Sequence, residues 1–344
     1  MEEKERKMLE FLKKVSPGMP LRNVIDDIIR SDMGALIVFD SPKITECIEG
    51  GFRVNCRFTP QRLFELCKMD GAVVISQDMK RIFYGNVLLT PSTSVSSNET
   101  GTRHKAADKT SKQAETFVIA VSERRKKTTI YFNGLKYSLR NLEDLLRVLS
   151  NNLQIIEKQR EQFDELISKL NILELSGLVT VSDVCRLLQK SESILKIAQI
   201  MRKDLIEAGK EGNIISLRFR ELTKNVEKIE EDILRDYSEK PLKRSKKILD
   251  SLTLEGLSDI SSIARVIFDF DLTKNISPKG IRFLEKVGLG KKDISLLLSK
   301  FNSLDQIINS DQTLLEEILK GRASQIKENI YKLREEILEG KVVI

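Results

Sequence analysis

The sequence predicts an α/β N-terminal domain, a mixed sheet flanked by helices, followed by an all-α spine and a helical C-terminal domain. Three observations carry this. Short apolar runs bounded by turn residues are confined to the first 140 residues. From residue 141 the apolar positions recur at steps of three and four. The last 70 residues break into short helix pairs separated by glycine-containing turns. Period-two runs belong to strands and period-3.6 stripes to helices, so the change of period marks the change of architecture.

Taken in order, MEEKERKMLEFLKKV and LRNVIDDIIRSD read as two amphipathic helices. GALIVF, residues 34–39, is an apolar run bounded by Gly34 and Asp40-Ser41-Pro42, the pattern of a buried strand. AVVIS (72–76), RIFYGNVLL (81–89), FVIAVS (117–122), TTIYFNG (128–134) and LKYSLR (135–140) extend the sheet, the last two turning at Asn133-Gly134. One helix, opening near Gly101 and Thr102, is inserted before FVIAVS. Leu142, Leu145, Leu149, Leu153, Ile156, Phe163, Ile167 and Leu170 then form one stripe on a long helix that ends at Ser176-Gly177. A second helix starts near Ser182-Asp183, and a third runs from Ile214 to Leu234 before a break at Tyr237 to Pro241. These stripes read as core or subunit contacts. KPLKRSKK, residues 240–247, reads as a solvated basic linker, with nucleic acid as the alternative partner. The expected domains are residues 1–140, 141–275 and 276–344.

A chain of 344 residues has room for two or three domains, so separate functions can occupy separate modules. Lys and Arg number 58 against 51 Asp and Glu, a net charge of +7 that suits an anionic partner without requiring one. Cys47, Cys56, Cys67 and Cys185 show no Cys-x-x-Cys spacing, which argues against a zinc site or a disulfide framework. No segment approaches the ~20 apolar residues of a membrane span, and a cytoplasmic location is expected.

Two stretches can carry chemistry. In MDGAVVIS, residues 69–76, Asp70-Gly71 precedes a strand. The plain reading is a turn; the functional one gives Asp70 to a divalent metal or a hydroxyl nucleophile, with Gly71 admitting a ligand to the main chain. NETGTRHKAADKTSKQAE, residues 98–115, contains His104, the single histidine of the chain. The free N–H groups and dipole of a helix start favour an anion, and Arg103, His104 and Lys105 add side-chain donors. Thr102 capping a solvated basic helix is the plain reading here. Basic residues in a first turn nevertheless oppose the dipole, a cost that a bound phosphate offsets.

Together, DGA at 70–72 and GTRHKAA at 101–107 resemble the paired Asp-Gly-Ala and Arg-His-Arg signatures of diadenylate cyclase domains. GALIVF, NVLLTPS before ETGTRH, and FVIAVSERR after it strengthen the likeness. With the helical middle and the glycine hairpin, it extends over the whole chain, which resembles the DNA-integrity scanning diadenylate cyclase family. The resemblance implies condensation of two ATP into cyclic di-AMP and two pyrophosphates between face-to-face domains, in a homo-oligomer that in the family is an octamer. It makes Asp70 the catalytic aspartate and a ligand to Mg2+ or Mn2+. Arg103, His104 and Lys105 become the phosphate triplet, with Thr102 at the helix start. Gly71, Ala72, Leu89 and Ala106 become nucleotide neighbours, and Glu123, in SERR, a second candidate metal carboxylate. Two departures stand out: Lys105 where the family has Arg, and Ala106 where a hydroxyl residue is common. Both predict slower catalysis.

KVGLGKKDISLLLSKF, residues 286–301, resembles a helix-hairpin-helix unit, in which Gly288 and Gly290 let main-chain N–H groups reach a DNA phosphate and Lys291 and Lys292 add attraction. A plain helix–helix turn is the other reading. EEILKGRASQIKENI, residues 316–330, lacks a clear Gly-x-Gly. The leading expectation is thus a cyclase regulated by structured or damaged DNA. The alternatives are a DNA-binding scaffold that keeps nucleotide binding but little cyclisation, and an active head that has lost DNA control.

Overall fold

The computed structural model describes residues 2–269 and 271–341. The chain divides into two compact units: Met1–Ser150 with Arg202–Ser216, and Asn151–Met201 with Leu217–Ile344. Among the described residues no helix is long and apolar enough to cross a membrane.

The first unit contains α1 (Glu2–Lys14), α2 (Pro20–Arg30), β1 (Ala35–Phe39), β2 (Ile48–Glu49), β3 (Phe52–Arg57), α3 (Pro60–Cys67), β4 (Ala72–Ile75), β5 (Arg81–Leu89), α4 (Thr102–Gln113), β6 (Phe117–Ser122), β7 (Lys127–Phe132) and β8 (Leu135–Ser138). The strands make one mixed sheet in the order β2-β5-β4-β1-β6-β7-β8, with β3 also on β5. Among the described residues only β1 and β4 pair in parallel. Strict alternation sorts the side chains: Ala35, Ile37, Phe39, Val73, Ile75, Ile119 and Val121 bury against α1, α2 and α3. Their neighbours Leu36, Val38, Ala72, Val74, Val118 and Ala120 bury against Ala107 of α4 and Ala114, which caps its end. The result is a three-layer sandwich in which the sheet is apolar on both faces, which explains the unbroken runs in its central strands. Asn133 (φ 43) and Gly134 (φ 85) make the expected two-residue turn between β7 and β8.

The edge strands β2 and β3 have no counterpart among the expected ones. β3 is largely exposed and irregular, with Asn55 at φ 47 and a register shift between Arg53 and Cys56, so its sequence carries no clean alternation. After β8, Arg140 clamps the segment 202–216: its Nε and Nη2 donate to Glu207 Oε2 at 2.9 and 2.7 Å and its main-chain N–H to Glu207 Oε1 at 2.7 Å. Tyr137 Oη donates to the same buried carboxylate at 2.7 Å.

The remaining helices are α5 (Leu142–Ser176), α6 (Val181–Ala208), α7 (Asn213–Thr223), α8 (Val226–Tyr237), α9 (Leu242–Ser251), α10 (Leu254–Ser258), α11 (Ile260–Ile263), α12 (Ile281–Val287), α13 (Lys291–Lys300), α14 (Leu304–Ile308), α15 (Gln312–Leu319) and α16 (Ala323–Leu338). α5 ends at Ser176 as its pattern requires. α6 starts at Val181, close to the expected Ser182-Asp183, and is opened by a capping box: Thr180 N–H donates to Asp183 Oδ2 at 3.2 Å, and Asp183 N–H returns to Thr180 Oγ1 at 3.4 Å. The expected single helix from Ile214 to Leu234 is two helices, because Asn225 adopts a left-handed conformation (φ 63) between α7 and α8. The basic run 240–247 is not a linker. Pro241 starts α9, and Lys246 Nζ bridges Glu227 and Glu231 of α8 at 2.6 and 2.7 Å.

Within the second unit, Arg282 of α12 is buried against Glu174 of α5 and Asp236 of α8, and Tyr237 Oη donates to Glu174 at 2.5 Å. A charge removed from water needs partners, and two neighbouring helices, α5 and α8, supply them. From Phe283 onward, residues of α12 to α16 share one apolar cluster that includes Leu289, Leu297, Leu319 and Ile330.

Candidate active site

The register brings the chosen residues of the first unit to one end of the sheet. Leu36 of β1 pairs with Ala72 of β4, Ala35 with Val121 of β6, and Ala72 with Val87 of β5. Residues 34–36, 70–72, 87–89 and 121–123 therefore meet at the same end, although up to 89 residues separate them in sequence. Asp70 lies in the turn from α3 to β4, exposed, with no hydrogen bond or ion pair among the described residues. Gly71 follows at φ 87, and a Cβ there would lie 2.8 Å from the Val87 carbonyl oxygen. Both the left-handed backbone and the close strand behind it require glycine. Ala72 is buried as the first residue of β4, and Leu89 closes β5 opposite Ile48. Glu123 is exposed in the turn from β6 to β7.

α4 runs across the sheet with its first turn near the start of β1. Its N-cap is Gly101, not Thr102, which is the first helical residue. Glycine brings no capping side chain, and the first intrahelical bond is Lys105 N–H to the Gly101 carbonyl at 2.8 Å. The N–H groups of Thr102, Arg103 and His104 have no acceptor within the helix and point outward from its positive end. No acidic residue occupies that turn. The loop before it is pinned to the helix, since Lys112 Nζ donates to the Ser96 carbonyl at 2.9 Å and Ser92 N–H to Gln113 Oε1 at 2.7 Å.

Arg103 and His104 diverge. The Arg103 guanidinium lies against Gly34, where a Cβ would come within 2.1 Å of its Nη1, so only a glycine leaves room for it. This directs Arg103 to the sheet end that holds Asp70. His104 turns to β7, its Nδ1 3.0 Å from the hydroxyl of the fully buried Tyr131. Burial pulls the His104 pKa below its ordinary value; Glu99 opposes this, while Lys136, Arg103 and Arg125 add to it. Lys105 is exposed, and Ala106 packs on the α4-side apolar cluster. A hydroxyl at that position would enter an apolar contact.

Gly34, Tyr131 and Glu99 are absent from the sequence-based set. Glu99 forms an ion pair with Lys136 of β8 at 2.6 Å and faces the Tyr131 hydroxyl. The alternation in TTIYF places Thr129 and Tyr131 on one face, but nothing local says that α4 covers that face. Gly288, Gly290, Lys291 and Lys292 belong to the second unit. There Gly288 (φ 97) ends α12, Gly290 caps α13 without a side chain, and both lysines are exposed.

One carboxylate with free oxygens is a sufficient protein share for Mg2+, which keeps waters and takes much of its coordination from substrate phosphates. Among the described residues there is no cluster of three or more acidic, Cys or His side chains to cage a metal alone. The arrangement suits an ion that arrives with a nucleotide.

Residues 22–135 match the family model described as DisA bacterial checkpoint controller nucleotide-binding, and residues 139–274 the DisA bacterial checkpoint controller linker region. The chain is 36% identical to the DNA integrity scanning protein DisA of Acetivibrio thermocellus over 346 residues, covering 97% of this chain and 96% of that one. It is 34% identical to the protein of the same name from Clostridium botulinum, covering 99% of each. The DisA protein of Carboxydothermus hydrogenoformans is 36% identical, with 97% of this chain and 98% of that one covered. The chain belongs to the DisA family, and it is a diadenylate cyclase.

Proposed function

We propose that two N-terminal units face each other with one ATP in each, and that each ribose 3'-hydroxyl attacks the α-phosphorus of the opposite nucleotide. Each attack forms one P–O bond and breaks one, releasing pyrophosphate, and two attacks close the ring of cyclic di-AMP. Asp70 holds the divalent ion and takes the hydroxyl proton, which its exposure lets it pass to solvent. Mg2+ or Mn2+ bound there supplies charge neutralisation at the phosphoryl oxygens and a lower hydroxyl pKa. Glu123, at the same end of the sheet, is the second carboxylate available to that ion. Arg103, His104, Lys105 and the uncapped N–H groups of Thr102 and its neighbours bind the triphosphate. Gly71, Ala72, Leu89 and Ala106 border the nucleoside.

The observation that carries this reading is the seating of the Arg103 guanidinium on Gly34, which aims a phosphate-binding fork at the sheet end bearing the unpartnered Asp70. The test is incubation of the purified chain with ATP and either ion, with mass analysis of products. Asp70→Asn is expected to lower cyclic di-AMP formation by at least ~100-fold while the oligomer stays folded. Undiminished turnover in that variant removes Asp70 from the mechanism.

The turn from α12 to α13 supports a helix-hairpin-helix contact to DNA, in a third domain spanning 276–344. Gly290 leaves the first N–H groups of α13 uncapped, and a Cβ at Gly288 or Gly290 would meet nothing, so the turn is open to a phosphate. Asp293 of that turn is tied to Arg322 at 3.0 Å, which occupies the arginine of the second, poorer hairpin. Structured or damaged DNA bound here would regulate the cyclase through the helical spine of residues 141–275, in a cytoplasmic homo-oligomer, an octamer by family likeness.

A further inference from the structure

We propose that Tyr131 is a positioning residue that holds His104 in its Nδ1–H form, so that His104 takes up a proton as the triphosphate binds and meets it as an imidazolium through Nε2–H. The inference rests on reading the first turn of α4 as the phosphate site. It goes beyond that reading in naming the protonation state and the residues that set it.

The argument is one of counting protons. The Tyr131 hydroxyl has one proton and two lone pairs. His104 Nδ1 lies 3.0 Å from its oxygen, and two further groups act on the phenol, the Glu99 carboxylate holding its proton on and the Thr129 hydroxyl opposing this. Glu99, paired with Lys136 at 2.6 Å, is an acceptor only, so it takes the tyrosine proton. The Thr129 hydroxyl and His104 Nδ1–H then fill the two lone pairs. In the opposite arrangement Tyr131 donates to Nδ1, which leaves the tyrosine oxygen and the Glu99 carboxylate facing one another as acceptors beside a fully buried ring. Removing that contact from water without a proton between the two is costly.

A neutral imidazole with its proton on Nδ1 presents a lone pair at Nε2. A phosphate oxygen cannot accept from it, and two acceptors repel. Protonation at Nε2 turns the same atom into a donor, and the Tyr131–Glu99 chain behind the ring stabilises the positive charge. In the empty site burial, Arg103, Arg125 and Lys136 disfavour that charge and Glu99 alone favours it. The triphosphate reverses the balance by placing several negative charges in front of the ring.

The consequence has a definite sign. Nucleotide affinity falls as pH rises, roughly tenfold per pH unit, between the His104 pKa of the empty site and that of the filled one. The ligand's own phosphate gains charge over this range and pushes affinity the other way, so the two effects are separable. The probe is 3'-deoxy-ATP, which lacks the attacking hydroxyl and cannot cyclise. Binding to the full chain with Mg2+ is followed by calorimetry from about pH 5.5 to about pH 8.5, in buffers of different ionisation heat. The expected result is weakening with pH and net proton uptake near neutrality.

Tyr131→Phe removes the acceptor behind Nδ1–H. It is expected to bind within about threefold of the parent near pH 5.5 and roughly tenfold more weakly near pH 7.5, because the imidazolium loses its support. A tyrosine that only fills space would weaken binding equally at every pH. Glu99→Gln leaves the buried ring in place and is expected to shift the profile in the same direction, which covers the case of a poorly folded Tyr131→Phe. Binding that is independent of pH without proton uptake, or variants that weaken it uniformly, overturns the proposal and leaves the phosphate site standing. Absence of 3'-deoxy-ATP binding at every pH sinks the phosphate-site reading as well.

Discussion

Replacing Glu230 by glutamine is expected to stabilise the second unit at neutral pH. Glu230 lies on α8, fully buried, with Ser191 Oγ donating to Oε2 at 2.5 Å and Oε1 without a hydrogen-bond partner. Burial raises its pKa from 4.5 to about 8; the Ser191 bond opposes this, Glu192 and Asp250 add to it, and Lys246 counters them. The folded chain thus holds a proton on Glu230 that the unfolded chain releases above pH 4.5. Native protein binding more protons than unfolded protein means that stability falls as pH rises from about 4.5 to about 8, then levels. At pH 7 the interval above 4.5 corresponds to an upper bound between about 3 and about 4 kcal/mol, at about 1.4 kcal/mol per tenfold. Glutamine keeps the shape and the acceptor for Ser191 without the titration. Urea unfolding of both proteins from about pH 4.5 to about pH 8.5, read by amide-exchange protection in α8, is the assay. The curves are expected to coincide at the acid end and diverge towards neutrality, with the variant the more stable. Parallel curves across the range, or a variant less stable at pH 7, would show that Glu230 is ionised in the fold and refute the reasoning.

Other outcomes follow from the geometry of the two units. Gly34→Ala places a Cβ where the Arg103 guanidinium lies. The backbone tolerates alanine there, so the fold should persist while the KM for ATP rises roughly ten- to a hundredfold, the worth of a charge-assisted phosphate contact. An unchanged KM would show that Arg103 does not bind ATP from this position. Lys291→Glu with Lys292→Glu should reduce the salt dependence of DNA affinity by about two counterions, seen as a shallower slope of log affinity against log salt. An unaltered slope would place the DNA contact elsewhere.

Much of the head is legible in the sequence because its information is local. Six of the eight strands announce themselves as apolar runs, and the Asn133-Gly134 turn is specified by two residues that tolerate positive φ. The two strands that escape notice, β2 and β3, sit at the edge, where half the surface faces water and no apolar pattern is needed. In the second unit the stripe of α5 is clear over its whole length. The break between α7 and α8 is hidden, since Asn225 has no more local signal for a left-handed conformation than any asparagine within a helical pattern.

The sequence alone determines that a mixed sheet is followed by helices, that a carboxylate precedes one strand, and that a basic helix start follows another. Periodicity, turn chemistry and helix-end electrostatics are properties of neighbouring residues, and they survive without coordinates. Tertiary structure decides which of these features meet. Parallel pairing of β1 with β4 brings Gly34 to Asp70, and α4 lying across the sheet sends Arg103 to one neighbour and His104 to another. The same folding turns Tyr131, a strand residue like any other in TTIYF, into the partner that sets the histidine's proton. Such pairings depend on strand register and layer packing, which are fixed by the burial of the whole apolar set and are written in no single stretch of it.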